Sequence, residues 1–268
     1  MRGFLIAIAL LVFAPPAFAE RIQLSDYASG TGLLAIRIEI DGRPGRLLFD
    51  TGGGVSLVTP QYGATFACTP YGSFTGFRMR GDRVDTQKCG EHSLRIGQRM
   101  VRREVGVFDL MALLGEGAPP IDGVMGLDVL DGHLVTLSLA DRRLYVDERP
   151  GHGWSEGVAR FQREAGGAGL SIFVRVEAAR GPLWMLLDSG SVGAYAYLSP
   201  GAVAQLGHSG DGPVTLNITG AGAQSMSFQR IDPLIYDGVL GERFLRKYDI
   251  AVDFRSSRIW WRRRPEPH

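Results

Sequence analysis

The chain has 268 residues, a formal net charge of +1, and 45% hydrophobic and 21% charged residues. Because the charges nearly cancel, the composition indicates neither a nucleic-acid-binding surface nor a trap for acidic substrates. The hydrophobic content is typical of a globular protein with a buried core.

The first nineteen residues predict an export signal. Arg2 precedes an apolar stretch from Phe4 to Phe13, and Ala17-Phe18-Ala19 supplies a small-x-small cleavage site. This apolar run is shorter than a membrane span requires. We therefore expect residues 1–19 to be removed, leaving a periplasmic or secreted protein without an integral membrane segment.

Short strands dominate the rest of the chain. Alternating residues from Ile36 to Ile40, a turn at Asp41-Gly42 and an apolar run from Leu47 to Phe49 predict a β-hairpin. Further strands are predicted at 77–80, 83–88, 94–96, 104–108, 135–139, 143–146, 214–218, 225–230, 249–254 and 258–261. Helices are expected chiefly around 127–131 and 242–247. The predicted fold class is all-β with a few short helices.

Two blocks of this sequence are duplicated. Residues 36–52 align without gaps on residues 174–190, and Asp122-Gly123-Val124-Met125-Gly126 aligns on Asp237-Gly238-Val239-Leu240-Gly241. A period above one hundred residues is too long for a solenoid and indicates two similar lobes.

The predicted lobes are residues 20–150 and 158–268, joined by the stretch around Arg149-Pro150-Gly151.

The aligned segments 36–52 and 174–190 both end in the tripeptide Asp-Thr/Ser-Gly. It reads Asp50-Thr51-Gly52 in the first and Asp188-Ser189-Gly190 in the second. A single such tripeptide carries little weight in a Gly-rich chain. A carboxylate at the end of a buried strand is costly to ionise, and a second carboxylate nearby raises that cost. Two matches in matching contexts therefore indicate a coupled pair of carboxylates.

These residues resemble the pepsin and retropepsin superfamily of aspartic proteases, and most closely the bacterial retropepsin-like aspartyl proteases. The resemblance covers both halves of the mature chain and implies a two-lobed acid-protease fold. In such a fold, Val124-Met125-Gly126 and Val239-Leu240-Gly241 would cross behind the two Asp loops. Gly126 and Gly241 suit that crossing because a glycine lets two backbones approach closely.

The resemblance also implies catalytic roles for the two aspartates. Asp50 and Asp188 would share one proton and bind a water between them, one acting as general base while the other donates to the peptide carbonyl. No metal and no cofactor is implied. The expected partner is a peptide or protein substrate, and a monomer suffices to complete the site.

Four neighbouring residues receive supporting roles from the same resemblance. The Thr51 and Ser189 hydroxyls would bond backbone across the axis, and Gly52 and Gly190 would present amides to the carboxylates. A flap is expected at the hairpin around Arg80-Gly81-Asp82, with a counterpart near Gly220-Ala221-Gly222. Tyr71-Gly72-Ser73 resembles the flap tyrosine of pepsin, but a single Tyr-Gly pair is weak evidence, and Tyr71 is interpreted as an ordinary loop aromatic.

The two cysteines, Cys68 and Cys89, lie between the blocks of the first copy. In an oxidising compartment an even number of cysteines favours a disulfide, and two free thiols are the alternative.

Other constellations are weaker. Gly30-Thr31-Gly32 fits a loose dinucleotide fingerprint, but it precedes a strand and is better interpreted as a flexible loop. The five histidines show no metal-ligand spacing. Asp128, Asp131 and Asp253 are interpreted as solvated or turn residues. The duplicated Asp122 and Asp237 are expected to cap turns and not to catalyse.

The function predicted from the sequence is that of an exported aspartic endopeptidase. The alternatives are a catalytically silent peptide-binding module with the same fold and, more distantly, a structural envelope protein. Intact motifs in both copies favour catalysis, because two mutually repelling aspartates cost stability that a silent protein has no reason to bear.

Overall fold

The computed structural model describes residues 19–163, 169–210 and 212–265. Residues 1–18, which carry nearly all of the predicted export signal, lie outside these ranges. Within them, no helix combines the length and the apolar character needed to cross a membrane.

The described chain consists mainly of β-strands with a few short helices, so the predicted all-β class is confirmed. The helices are α1 Pro60–Thr65, α2 Leu110–Leu114, α3 Pro200–Gln205, α4 Glu242–Leu245 and a 3-10 helix at Leu127–Leu130. The strands are β1 Glu20–Asp26, β2 Leu34–Ile40, β3 Arg43–Phe49, β4 Leu57–Val58, β5 Tyr71–Phe77, β6 Arg83–Ile96, β7 Arg99–Val107, β8 Gly123–Met125, β9 Leu134–Ser138, β10 Arg143–Val146, β11 Ser155–Arg163, β12 Leu170–Glu177, β13 Leu183–Leu187, β14 Ala196–Leu198, β15 Val214–Ile218, β16 Gly222–Met226, β17 Phe228–Arg230, β18 Gly238–Leu240, β19 Tyr248–Asp253 and β20 Arg258–Arg263.

The duplicated blocks fold into the same strand arrangement twice. In the first half, β3 pairs antiparallel with β2 and parallel with β8, with Leu47 opposite Gly123. In the second half, β13 pairs antiparallel with β12 and parallel with β18, with Met185 opposite Gly238. Both parallel pairs keep the same register, so each Asp motif begins where its strand and the paired Val-Met/Leu segment end together.

A six-stranded antiparallel sheet joins the two halves, in the order β1, β10, β9, β19, β20, β11. Its central pair is β9 with β19, one strand from each half, in a register that sets Leu137 opposite Ile250. The stretch 149–151 lies between β10 and β11 and contains no strand. The two halves are thus connected by continuous backbone hydrogen bonding.

The apolar runs that lead into the two Asp motifs are buried in the main core. Leu47 and Phe49 in β3 are at most 1% exposed, and Met185 and Leu187 in β13 are fully buried. Because alternate residues of a strand face opposite sides, the residue between each pair packs in a separate, smaller cluster. Both faces of these strands are covered, which fixes the position of the aspartate that follows each one.

One predicted strand is wrong. Residues 77–80 were expected to be extended, but β5 ends at Phe77 and residues 78–82 form the turn of the β5–β6 hairpin. Gly81 has a φ of +85°, which glycine adopts without strain, and its amide donates to the Arg78 carbonyl at 2.8 Å. The residues of this turn therefore determine the local structure, and they override the extended pattern on which the predicted strand was based.

Candidate active site

Each motif aspartate is the first residue beyond a buried strand, and each makes the same backbone hydrogen bond. The Asp50 amide donates to the Met125 carbonyl, and the Asp188 amide donates to the Leu240 carbonyl, both at 3.0 Å. The duplicated segments therefore hold the two aspartates in equivalent positions.

The two motifs are locked to each other by their hydroxyl residues. The Thr51 amide donates to Ser189 Oγ at 3.0 Å, and the Ser189 amide donates to Thr51 Oγ1 at 2.9 Å. Each hydroxyl also donates to a carbonyl of the opposite half, Thr51 to Leu187 at 2.8 Å and Ser189 to Phe49 at 3.1 Å. Four hydrogen bonds between buried groups thus fix the relative position of the loops.

Backbone amides surround the carboxyl groups from within each loop. Gly52 donates to Asp50 Oδ1 at 2.9 Å, and Gly190 donates to Asp188 Oδ1 at 2.9 Å. Ser191 adds a second donor to the same Asp188 oxygen at 3.0 Å. With one oxygen of each carboxyl engaged in this way, the side chains have defined orientations.

The carboxyl groups of Asp50 and Asp188 are neighbours, close enough for the charge and the hydrogen bonding of one to act on the pKa of the other. Burial, followed by the negative charge of Asp50 and the hydrogen bond to it, raises the pKa of Asp188 well above its ordinary value; the Gly190 and Ser191 amides oppose this rise. Two carboxyl groups can hydrogen bond to each other only when one is protonated. The pair therefore holds a proton at a pH where isolated aspartates have lost theirs.

Glycines allow the two loops to approach this closely. A Cβ atom at Gly190 would lie 2.6 Å from Asp50 Oδ2, and one at Gly52 would overlap the Asp188 carboxyl group. Behind the loops, a Cβ at Gly126 would lie 2.8 Å from the Gly54 carbonyl oxygen, and one at Gly241 would lie 2.6 Å from that of Ser191. Any side chain at these positions would force the loops apart.

The duplicated Asp122 and Asp237 hold strands together. Asp122 Oδ2 accepts from the Arg46 amide and Asp237 Oδ2 accepts from the Trp184 amide, both at 2.8 Å. These amides belong to β3 and β13, which lead into the two motifs. The side chains therefore bond to the neighbouring strand and do not cap their own turn.

Asp128 is the residue that the sequence interpretation placed wrongly. It was expected to be solvated, but it is 3% exposed, and its Oδ1 accepts from Ser56 Oγ at 2.8 Å. Burial raises the pKa of Asp128 to about 7, against the hydrogen bonds from Ser56. Ser56 Oγ in turn accepts from the Gly126 amide at 3.1 Å, so Asp128 supports the crossing segment. The flanking apolar residues of the 3-10 helix, all buried, were the available signal.

The other two aspartates of that group are partly exposed. Asp131 pairs with Arg163 at 2.6 Å, and Asp253 accepts from Ser256 and the Arg255 amide in a turn.

The β5–β6 hairpin extends from the first half to the second. At its turn the Met79 carbonyl accepts from the Ile235 amide at 3.0 Å. The Met79 side chain packs against the small cluster that contains Leu186 and Ala194, on either side of the second motif. The hairpin that carries Arg80-Gly81-Asp82 therefore spans the junction of the two halves.

The other expected flap features lie elsewhere. The turn at Gly220-Ala221-Gly222 joins β15 to β16, and Gly220 lies against Gly157 and Trp261, on the sheet that joins the halves. Tyr71 begins β5 at the base of the hairpin, where its hydroxyl donates to Glu104 at 3.0 Å.

The predicted disulfide between Cys68 and Cys89 is present, and the alternative of two free thiols is wrong. It connects the segment after α1 to β6.

Gly30-Thr31-Gly32 forms the loop between β1 and β2, and no helix follows it. Within the described ranges, no group of three or more His, Cys, Asp or Glu side chains is placed to hold a metal ion.

Comparison with known proteins gives a fold and no family. No family model and no curated protein matches the chain. Among solved structures 446 chains match, including the crystal structure of Basic 7S globulin from soybean, with a TM-score of 0.57 and 11% identity over 91% of this chain and 94% of the globulin. At this identity the similarity shows a common fold alone.

These findings correct the family assignment. The sequence motifs indicated the bacterial retropepsin-like aspartyl proteases, but no family model supports that assignment, and one of the structures that share the fold is a soybean globulin. Short tripeptide motifs have little power to separate families, which explains the error.

Proposed function

We propose that the chain is an aspartic-type endopeptidase, in which a water molecule held between Asp50 and Asp188 attacks the peptide bond. The observation that supports this most strongly is the pair of neighbouring carboxyl groups, each oriented by backbone amides, together with the raised pKa of Asp188. A titratable group with a strongly shifted pKa, next to a second carboxyl group at the junction of two halves, is typical of catalytic sites.

The proposed mechanism uses the shared proton. Because the pKa of Asp188 is raised, we assign the proton of the resting pair to Asp188 and the general-base role to Asp50. Asp50 accepts a proton from the water as its oxygen attacks the carbonyl carbon, while Asp188 donates its proton to the carbonyl oxygen. The proton held by Asp50 then passes to the leaving amine as the C–N bond breaks, and one hydroxyl of the tetrahedral diol returns its proton to Asp188, which leaves a carboxylic acid and restores the pair. All proton transfers take place between water, peptide and the two carboxyl groups.

The surroundings support this chemistry by holding the pair rigid. The hydrogen bonds between Thr51 and Ser189 cross from one half to the other, and the Gly52 and Gly190 amides orient the carboxyl groups. Preorganised groups contribute to catalysis because no reorganisation is needed during the reaction. The β5–β6 hairpin is the proposed lid over a bound peptide.

A catalytically silent peptide-binding module is the second candidate. It is favoured by one of the solved structures that share the fold, because that protein is named a globulin and not a protease. A fold by itself does not determine a function. For either candidate we propose a periplasmic or extracellular location, supported by the Cys68–Cys89 disulfide, since disulfides persist in oxidising compartments.

The two candidates are separated by incubating the mature protein with a peptide library between acidic and neutral pH. If the protein is an enzyme, the wild type should give cleavage products, and Asp50→Asn should abolish them. Asp26→Asn serves as the control, because Asp26 is an exposed residue paired with Arg142. Binding of peptides without cleavage by the wild-type protein would favour the silent module.

A further inference from the structure

A histidine lies against the disulfide, in a part of the molecule that the proposed peptidase site does not use. His92 Nε2 is 3.2 Å from Cys89 Sγ and 3.2 Å from the Cys89 carbonyl oxygen. On the other side of the ring, Nδ1 is 2.6 Å from Asp41 Oδ2. The His92 side chain is only 12% exposed, so these three groups are its main polar surroundings.

The oxygen partners of His92 on both sides of the ring are hydrogen-bond acceptors. A carbonyl oxygen can only accept, so Nε2 must carry a proton to bond the Cys89 carbonyl. The hydrogen bond from His92 is the largest cause that lowers the pKa of Asp41, so this carboxyl is ionised and also accepts, which requires a proton on Nδ1. The ring is therefore placed to donate from both nitrogens, and a proton on each puts a positive charge beside Cys89 Sγ.

The backbone holds this arrangement in place. Asp41 and Ser93 exchange hydrogen bonds: the Asp41 amide donates to the Ser93 carbonyl, and Asp41 Oδ1 accepts from the Ser93 amide, both at 2.9 Å. Phe66 contacts the His92 ring edge-on, with 4.9 Å between ring centroids. Arg102, on β7, is the other charge that acts on Asp41.

A β-bulge presents Cys89 to this histidine. The pairing of β6 with β7 shifts between Lys88 and Gly90, so Cys89 has no opposite residue in β7. Bulges of this kind redirect a side chain and are frequent next to functional sites.

We propose that the Cys68–Cys89 disulfide is a site of thiol–disulfide exchange, in which Cys68 is the attacked sulfur and Cys89, held by His92, is the leaving sulfur. The co-reactant is a low-molecular-weight or protein thiol. Its thiolate forms a new S–S bond to Cys68 Sγ, the Cys68–Cys89 bond breaks, and the electron pair of that bond goes to Cys89 as a thiolate. The disulfide count is unchanged in this step. This inference does not depend on the proposed peptidase activity.

Two independent observations agree on the direction of attack. Cys68 is partly exposed whereas Cys89 is 7% exposed, so an external thiolate reaches Cys68 more readily. A thiolate is stabilised by an adjacent imidazolium, and the more stable thiolate is the better leaving group. Exchange would detach the segment after α1 from β6 at the base of the hairpin.

The first test reacts the oxidised protein with reduced glutathione, followed by acid quenching and mass spectrometry of peptides. We expect glutathione on Cys68 and a free thiol at Cys89. We also expect His92→Gln to slow the reaction on the order of tenfold, from the dependence of exchange rates on the leaving thiol. His133→Gln is the control, because His133 bonds Asp147 at 3.3 Å and contributes nothing to the disulfide.

Glutathione found on Cys89 in the wild-type protein would overturn the proposal without any variant. Equal rates for wild type and a folded His92→Gln would also overturn it.

A second measurement uses Cys68→Ser, in which Cys89 is a free thiol, and follows the rate of its alkylation by iodoacetamide as a function of pH. The proposal requires half-maximal reactivity well below the ordinary thiol pKa of about 8.5, and a value at or above it would contradict the role of His92.

Discussion

Thr51 and Ser189 exchange two hydrogen bonds across the junction, the amide of each residue donating to the hydroxyl of the other at 3.0 and 2.9 Å. Both residues are buried: Thr51 is fully buried, and Ser189 is only 3% exposed. Each Asp loop is therefore held in its conformation by the opposite half of the chain. The geometry of the carboxyl pair is a property of the two halves together.

Replacing Ser189 by alanine should destabilise the protein substantially. The substitution leaves the Thr51 amide and the Phe49 carbonyl buried without their partner. An unpaired buried polar group costs roughly 1–3 kcal/mol, so with two such groups we expect a loss of about 2–6 kcal/mol in the free energy of unfolding. Urea unfolding measures this loss. Ser189→Thr keeps the hydroxyl and is the matched control; equal stability of the alanine variant would show that the lock contributes little.

Removing the charge of Asp50 should lower the pKa of Asp188. The charge of Asp50 and the hydrogen bond to it both raise the pKa of Asp188, so Asp50→Asn leaves burial as the main upward cause. The titration can be followed by NMR of a ¹³C-labelled aspartate carboxyl. An Asp188 pKa that is unchanged or higher in the variant would mean that the two groups are not coupled.

We expect Asp128 to stabilise the folded protein more at acidic pH than at neutral pH. Its pKa is about 7 in the folded protein against 3.8 for an ordinary aspartate, so the folded state binds more protons between these values. This contribution to stability is complete below pH 3.8 and is lost as the pH rises through 7. The difference between these two pKa values corresponds to about 4 kcal/mol in the free energy of unfolding.

Asp128→Asn should remove this part of the pH dependence, which unfolding free energies measured from pH 4 to pH 8 would reveal. The exposed Asp82→Asn is the control. If both variants kept the wild-type slope, Asp128 would not be the group responsible.

The sequence predicted those parts of the fold that are duplicated, because each motif in one half confirmed its equivalent in the other. Three helices were missed. α1 and α3 each begin with a Thr or Ser N-cap followed by proline, at Thr59-Pro60 and Ser199-Pro200. This pair of residues is a recognised helix start, and it was outweighed by the surrounding strand pattern.

Other features could not be derived from local sequence. The hydrogen bond of Asp128 is made with Ser56, 72 residues away, and that of His92 with Asp41, 51 residues away. The contact between Met79 and Ile235 likewise joins the two halves. Such contacts follow from the packing of distant strands, on which a local pattern carries no information.

The hairpin turn should have to leave the second half before a peptide can enter. Met79 and Ile235 are joined by a backbone hydrogen bond of 3.0 Å, so cysteines at these positions lie within reach of a short bismaleimide. We expect the crosslinked Met79→Cys/Ile235→Cys protein to lose peptide cleavage. The same variant treated with a monofunctional maleimide is the control. Full activity after complete crosslinking would exclude the hairpin as a lid.

We propose that Asp50 and Asp188 act as one catalytic unit, and the most direct test is the kcat/KM of peptide cleavage for Asp50→Asn, Asp188→Asn and the double variant. We expect each single variant to lose nearly all activity and the double variant to be little worse, because residues that act as a unit have non-additive effects. Peptide binding should persist in all three. Cleavage by either single variant at close to the wild-type rate would contradict the two-aspartate mechanism.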